Sequence, residues 1–245
     1  MKSWSEISAD PNSPEVLTHR KSELAKARNL KLIADRVAYI CDVVRAKDVL
    51  DIGVVEHFRN SSTVDTWLHK HVKTAAASCL GIDILASEVD SLRQRGFDVI
   101  VHDITKAPLD RQFEIIVVGD VIEHLNDPSG LFKHAAQMLR PSGLLLLTTP
   151  NPRYVNAIVK NLFEGTPFTD SADHVAWFDA STLCELASRS GLVLRRYSGV
   201  KANSSRTFKS RLLSSLTPTL IRLGIRPELF AKTMIYEFTP QVRTR

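Results

Sequence analysis

The sequence predicts an α/β domain, a seven-stranded and mostly parallel sheet with helices on both faces. Three observations carry that expectation. Short, nearly continuous apolar runs recur along the chain, and segments of helical period lie between most of them. Several of the runs end in glycine or an acid rather than in a hairpin turn. A chain of 245 residues, 44% hydrophobic and 24% charged, is ordinary for one globular domain.

The elements follow in order. The first dozen residues, with Pro11 close to Pro14, read as a loose arm. From about Glu15 to Arg45, apolar residues at three- and four-residue steps (Leu24, Leu30, Ile33, Val37, Ile40, Val44) predict helix. Val49–Gly53, Cys79–Asp83, Phe97–Asp103, Phe113–Asp120 and Leu144–Thr149 read as five strands, with helices at about 62–77, 86–95 and 128–139 between them. After Pro150 comes an irregular Asn- and Pro-containing stretch. A helix follows at Thr182–Ser190, where Thr182 and Glu185 have capping-box spacing. Residues 192–198 and 233–238 complete the seven strands. The expected organisation is an N-terminal arm and helix over 1–46, then one domain over 47–245 with an insertion or cap at about 201–232.

Bulk properties narrow the function classes. No apolar run approaches the roughly 18–20 residues of a membrane span, and the N-terminus lacks a signal-peptide core, so a cytoplasmic location is expected. Cys41, Cys79 and Cys184 form no CxxC pair and read as small buried hydrophobes rather than a disulfide or zinc framework. The net charge of +5 is uneven: from Arg195 to Arg245 the acids are Glu228 and Glu237 alone. Such a basic end suits phosphates, an acidic sugar or a membrane surface, or is a solvated face. Lys209 to Arg226 reads as an amphipathic membrane-surface helix or a substrate cap, interrupted by Pro218 and Gly224.

The chemistry concentrates at strand ends. In open parallel sheets, ligands sit beyond the carboxyl ends of the strands. Gly53 ends the first strand, Asp83 the second, Asp103 the third and Asp120 the fourth, with Glu123 and His124 close behind. An acid after the second strand is placed to accept hydrogen bonds from ribose hydroxyls, and one after the third to reach an adenine amino group.

At this point the sequence resembles a known family. Asp51-Ile-Gly53, Gly81-Ile-Asp83, His102-Asp103, Gly119-Asp-Val-Ile-Glu-His-Leu125, Leu139-Arg-Pro-Ser-Gly143 and Thr148-Thr-Pro-Asn151 follow the motif order of class I S-adenosylmethionine-dependent methyltransferases, across about residues 47–200. The resemblance implies a Rossmann-like sheet and S-adenosylmethionine as cofactor. It implies Gly53 at the methionine part, Asp83 at the ribose, Asp103 at the adenine and Asp120 near the sulfonium, with Asp51 and Ile104 in the same pocket. The family's glycine-rich D-x-G-x-G-x-G turn is altered here to Asp51-Ile-Gly53-Val-Val-Glu56-His57. A subset of bacterial and archaeal members is similar in carrying a V-E-H turn followed by W-L-H, matched by Trp67-Leu68-His69. That likeness implies that Glu56 meets the cofactor's amino or sulfonium charge.

A methyl sulfonium is already activated, so transfer to an aliphatic hydroxyl needs alignment and a base, or a metal that acidifies the hydroxyl. The candidates are His124, Glu123 and His174, the last within Asp173-His174-Val-Ala-Trp177-Phe178. His69 and His71 are expected to face solvent or pack locally, with the W-L-H match leaving His69 open. Asp120-x-x-Glu123-His124 with the later His174 also resembles the small-RNA 3′-terminal 2′-O-methyltransferases. That resemblance implies Asp120, Glu123, His124 and His174 around Mg²⁺ or Mn²⁺. Metal-free relatives share part of the pattern, so both routes stay open.

For the acceptor, the Thr-Pro-Asn turn and the H-V-x-W-F block resemble enzymes of bacterial surface-polysaccharide synthesis. The expected acceptor is a sugar hydroxyl, on an acidic or lipid-linked glycan. A quinone or phenolic small molecule and an RNA 2′-hydroxyl are the alternatives, RNA being disfavoured by the lack of a recognisable RNA-binding module. A non-catalytic, partner-binding relative is the contrasting class. Retention of Asp83, Asp103, Glu123 and His124 argues against it.

Overall fold

Strand β1 (Asp48–Ile52) runs between β2 (Ser78–Asp83) and β4 (Phe113–Gly119), parallel to both. The computed structural model describes residues 2–55, 67–164, 171–201 and 217–241. Among these, β3 (Val99–Val101), β5 (Leu139–Pro150), β6 (Leu192–Lys201) and β7 (Ala231–Pro240) complete a seven-stranded sheet in the order β3-β2-β1-β4-β5-β7-β6. The first five strands are parallel, and β7 is antiparallel to both β5 and β6. The expected mostly parallel sheet is therefore present.

Helices cover both faces because the strands are apolar on both. Along β1, Leu50 and Ile52 face one core with α5 (Pro128–Met138), α7 (Ala180–Arg189) and the end of α1 (Pro14–Ala27). Val49 faces a second core with α2 (Arg36–Val44) and α3 (Leu68–Ala75). A smaller cluster joins Trp67 and Val99 to Val89 and Leu92 of α4 (Ala86–Gln94). This two-faced burial explains why the strands read as continuous apolar runs instead of alternating ones.

Several local expectations change. The segment expected as one helical stretch from Glu15 to Arg45 is two helices, split at Arg28–Asp35. There Arg28 and Ile33 form parallel bridges to Tyr197 and Val200, so backbone pairing with edge strand β6 displaces the helical period. The loose arm holds a 3-10 turn at Trp4–Glu6, capped reciprocally by Ser3 and Glu6. The irregular stretch after Pro150 contains helix α6 (Val155–Glu164). Helix α7 starts earlier than Thr182: Asp179 is its N-cap, accepting from the amides of Ser181 (2.9 Å) and Thr182 (3.0 Å), and Thr182 closes the capping box instead of Glu185. Cys184 is buried as expected, whereas Cys41 and Cys79 are partly exposed. The expected insertion at about 201–232 lies partly outside the described residues, and β6 and β7 bound it at Lys201 and Ala231. Among the described residues, no helix is long and apolar enough to cross a membrane.

Because Asp179 holds two otherwise orphaned amides, Asp179→Ala is expected to lower stability by about 1 kcal/mol. Its ion pair with the exposed Arg153 adds little to that figure. Urea unfolding of the two proteins checks it.

Candidate functional site

The parallel pairing brings the carboxyl ends of β1 to β4 to one edge of the sheet, and a 710 Å³ cavity opens there. Gly53, Asp83, Asp103 and Asp120 all line it, as the strand-end reading expects, and so do Asp51 and Ile104, which the family resemblance added. Glu56 lies outside the described residues.

Gly53 begins the turn after β1 with φ 77°, and its amide donates to the carbonyl of Ile82 (2.9 Å). A Cβ at this position would lie 2.3 Å from a methyl of Val121, so glycine is required both by conformation and by space. The carboxylate of Asp83 accepts one backbone amide on each oxygen, from Val55 (2.9 Å) and Leu85 (3.1 Å). Each oxygen keeps a further acceptor site for a ligand hydroxyl. Asp103 accepts the amide and hydroxyl of Thr105 (2.9 and 2.6 Å), and the hydroxyl bond above all holds its carboxyl below the ordinary range. Ile104 buries its side chain, while its carbonyl accepts from the His134 ring (2.6 Å).

Asp51 and His69 form a buried pair in the cavity wall. Strand alternation points Asp51 toward the α2–α3 face, where Nδ1 of His69 lies 2.8 Å from its carboxylate. His69 is 1% exposed and packs against Trp67 and Phe97, so the solvent-facing alternative is excluded and local packing holds. The indole N–H of Trp67 donates to the carbonyl of Val54 (2.9 Å). Two residues of the W-L-H block therefore brace the glycine-poor turn from across the cavity.

Asp120 takes a left-handed backbone, φ 53°, rare for a residue with a side chain. Its amide donates to the carbonyl of Thr148 (3.1 Å), its carboxylate accepts from the Thr148 hydroxyl (2.9 Å), and Arg36 pairs with the other oxygen. Arg36, at the start of α2, lines the cavity and was not among the expected site residues. One signal was available: a cation in the first turn of a helix sits against the macrodipole and needs another reason to be there.

Glu123, His124 and His174 come together on the far wall, their ligand atoms within 4.8 Å of one another. Asp120, the fourth residue of the expected set, is bound to Arg36 and Thr148. His124 lines the cavity; its Nδ1 lies 3.0 Å from Asp173, and its ring meets that of His174 at 4.8 Å. Glu123 sits behind at 1% exposure, accepts from the Thr149 hydroxyl (3.0 Å), and among the described residues keeps Oε1 without a hydrogen-bond partner. Burial, reinforced by the charge of Asp120, pushes its carboxyl up to about 7. The backbone carbonyl of Glu123 accepts from Val175 (2.9 Å) and Ala176 (3.3 Å), which fastens the 173–178 segment over the cluster. That segment presents Trp177 and Val175 to solvent beside His174. Asp173 is the second site residue that the sequence reading did not single out.

Comparison with known proteins agrees with this architecture. The family described as "Methyltransferase domain" matches residues 18–197. A ubiquinone biosynthesis O-methyltransferase of Aeromonas salmonicida is 29% identical over 36% of this chain and 39% of its own length. A protein of the same name from Coxiella burnetii is 27% identical over 64% of this chain and 68% of its own. The chain thus spans about two fifths of the length of the first of these relatives. Among solved structures, the magnesium protoporphyrin IX methyltransferase of Synechocystis PCC 6803 with bound SAH superposes with TM-score 0.53 at 14% identity, covering 97% of this chain and 93% of that one. The O-methyltransferase of a trans-AT PKS multienzyme from Brevibacillus brevis, in complex with S-adenosyl-L-homocysteine, gives TM-score 0.53 at 16% identity, covering 84% and 71%. At these identities the structures speak for the fold.

The left-handed turn and the contact with Val121 make Gly53→Ala a strained substitution. It is expected to destabilise the protein by about 1–3 kcal/mol, read as a lower midpoint in thermal or urea unfolding.

Proposed function

Given that the chain belongs to the methyltransferase-domain family, as a class I S-adenosylmethionine-dependent member, we propose that it methylates a hydroxyl oxygen with His124 as the general base. The single observation that carries this reading is the Asp173–His124 pair on the cavity wall, 3.0 Å apart. A carboxylate beside Nδ1 orients the imidazole, which leaves Nε2 to take the proton from the acceptor hydroxyl. The methyl donor occupies the same cavity, with its ribose at Asp83, its adenine at Asp103 and Ile104, and its methionine end at Gly53, Arg36 and Asp120. Arg36 supplies a cation for the donor's carboxylate, and Asp120 a counter-charge for its amino or sulfonium group. Asp51 acts through His69 in shaping the cavity floor.

A second route for activating the hydroxyl is favoured by a separate observation. The Glu123, His124 and His174 donors fit one divalent ion, Mg²⁺ or Mn²⁺, since they converge within 4.8 Å and Glu123 Oε1 is buried without a partner. Such an ion would lower the pKa of a bound hydroxyl.

The acceptor in this reading is a sugar hydroxyl of a bacterial surface glycan or glycolipid. The support is the exposed Trp177 and Val175 beside the cluster, an apolar wall suited to the face of a pyranose ring. The likeness to ubiquinone biosynthesis O-methyltransferases favours a phenolic acceptor as the alternative, and the same wall suits an aromatic ring. The basic stretch from Arg195 to Arg245 gives a lipid-linked acceptor an electrostatic path from the cytoplasmic face of a membrane.

His124→Ala is expected to cut turnover by about 10²–10⁴-fold while leaving S-adenosylmethionine affinity unchanged. Release of S-adenosylhomocysteine with glycan and phenol panels measures it, and undiminished turnover would contradict the role of His124. The same assay after chelation separates the two routes. Full activity means the base acts alone, whereas loss restored by Mg²⁺ or Mn²⁺ means that the ion takes part.

A further inference from the structure

A second cavity, of 410 Å³, lies apart from the one already described, between α1, the start of α7 and strands β6 and β7. Its hydrogen-bonding chemistry is one-sided. The two carboxylates that line it are occupied: Glu228 by a bidentate pair with Arg28, and Asp179 by Arg153 and the cap of α7. Lys21 and Arg226 also line it and form no ion pair among the described residues. Tyr236 is 1% exposed and stacks on Tyr197 at 6.1 Å, and neither hydroxyl makes a hydrogen bond among the described residues. Burial raises both phenols above their ordinary range, so they stand as neutral donors.

The rim is fixed. Asn151 donates its amide to the carbonyls of Glu228 (2.7 Å) and Ala231 (2.8 Å) and accepts from the Arg153 backbone (3.0 Å). The cavity therefore offers cations and hydroxyl donors, with its own acceptors already satisfied. A ligand that complements it is anionic and rich in acceptors, with several oxygens on one centre. A phosphate group meets that description.

The position adds a second argument. Met234, on the cavity wall, is the cross-strand partner of Thr149, and Thr149 holds Glu123. One pair of adjacent strands thus links the wall of this cavity to the residue that holds Glu123. We propose that this second cavity binds the phosphate of a phosphorylated ligand, between Lys21 and Arg226 and against the Tyr197 and Tyr236 hydroxyls. In this proposal the same molecule presents a hydroxyl to the Glu123 cluster. That last role rests on the methyl-transfer reading, whereas the phosphate site does not.

The test is calorimetric titration of the full chain with inorganic phosphate, diphosphate and a hexose 1-phosphate, on wild type, Arg226→Gln and Tyr236→Phe. Arg226 is exposed, so its variant is expected to fold normally, and unfolding midpoints check both. The expected result is saturable binding of phosphate compounds that weakens about tenfold or more in each variant. Hexose 1-phosphate binding tighter than inorganic phosphate assigns the group to a larger ligand; equal binding assigns it to free phosphate, and both support the site. No binding by wild type overturns the proposal, as does binding that both folded variants retain in full. S-adenosylmethionine titrated into the same samples reports the donor cavity separately, so failure of either reading is recognisable without the other.

Discussion

The pairing of β1 between β2 and β4 is the constraint on which the rest of the molecule depends. Because all three run in one direction, their carboxyl ends and the turns that follow lie side by side at one edge. A parallel sheet must bury both faces, which forces the helices to cover it and leaves that edge as the place where backbone groups and acids stay accessible. Gly53, Asp83, Asp103 and Asp120 belong to one cavity for this reason, although they are spread over almost seventy residues of chain. The same register sets the second cavity, since β7 turns antiparallel beside β5 and brings Met234 opposite Thr149.

Around that frame, the site substitutes side-chain bracing for glycine. A turn with several glycines can approach a ligand freely; the turn after β1 keeps only Gly53. Trp67 ties down Val54, and His69 ties down Asp51, each from the chain that leads into α3. Gly81 makes room for this arrangement: a Cβ there would lie 2.9 Å from the His69 ring and 3.0 Å from Val54. The opposite wall carries conformational strain at Asp120, held by Thr148 and Arg36, which fixes a carboxylate at the cavity mouth.

The sheet and the acids of the cavity edge were legible because each rests on a local pattern: a continuous apolar run for a strand, and a terminal acid or glycine for a strand end. Gly53, Asp83, Asp103 and Asp120 needed only that pattern and the direction of the strands, whereas Ile104 came from the family resemblance. Residues that reach the site through tertiary packing were not legible. Arg36 sits in a segment whose periodicity says helix, and nothing local announces that its guanidinium meets Asp120. Asp173 was visible in the Asp173-His174 pair but owes its place to backbone bonds between Val175, Ala176 and Glu123. The break at Arg28–Asp35 was hidden for a similar reason, since pairing with β6 is a long-range event that overrides local helical period. Asp120 was legible as a strand-end acid, but its partners Thr148 and Arg36 were not, because sequence spacing cannot tell which of several nearby partners a carboxylate takes.

The central claim is that the edge of the parallel sheet holds S-adenosylmethionine through Asp83. Isothermal calorimetry of wild type and Asp83→Ala, with unfolding curves to confirm that the variant is folded, tests it directly. The account predicts saturable binding by wild type that is lost or greatly weakened in the variant, since in the proposed function the carboxylate accepts the ribose hydroxyls. Absence of binding by wild type, or equal binding by the folded variant, would contradict it.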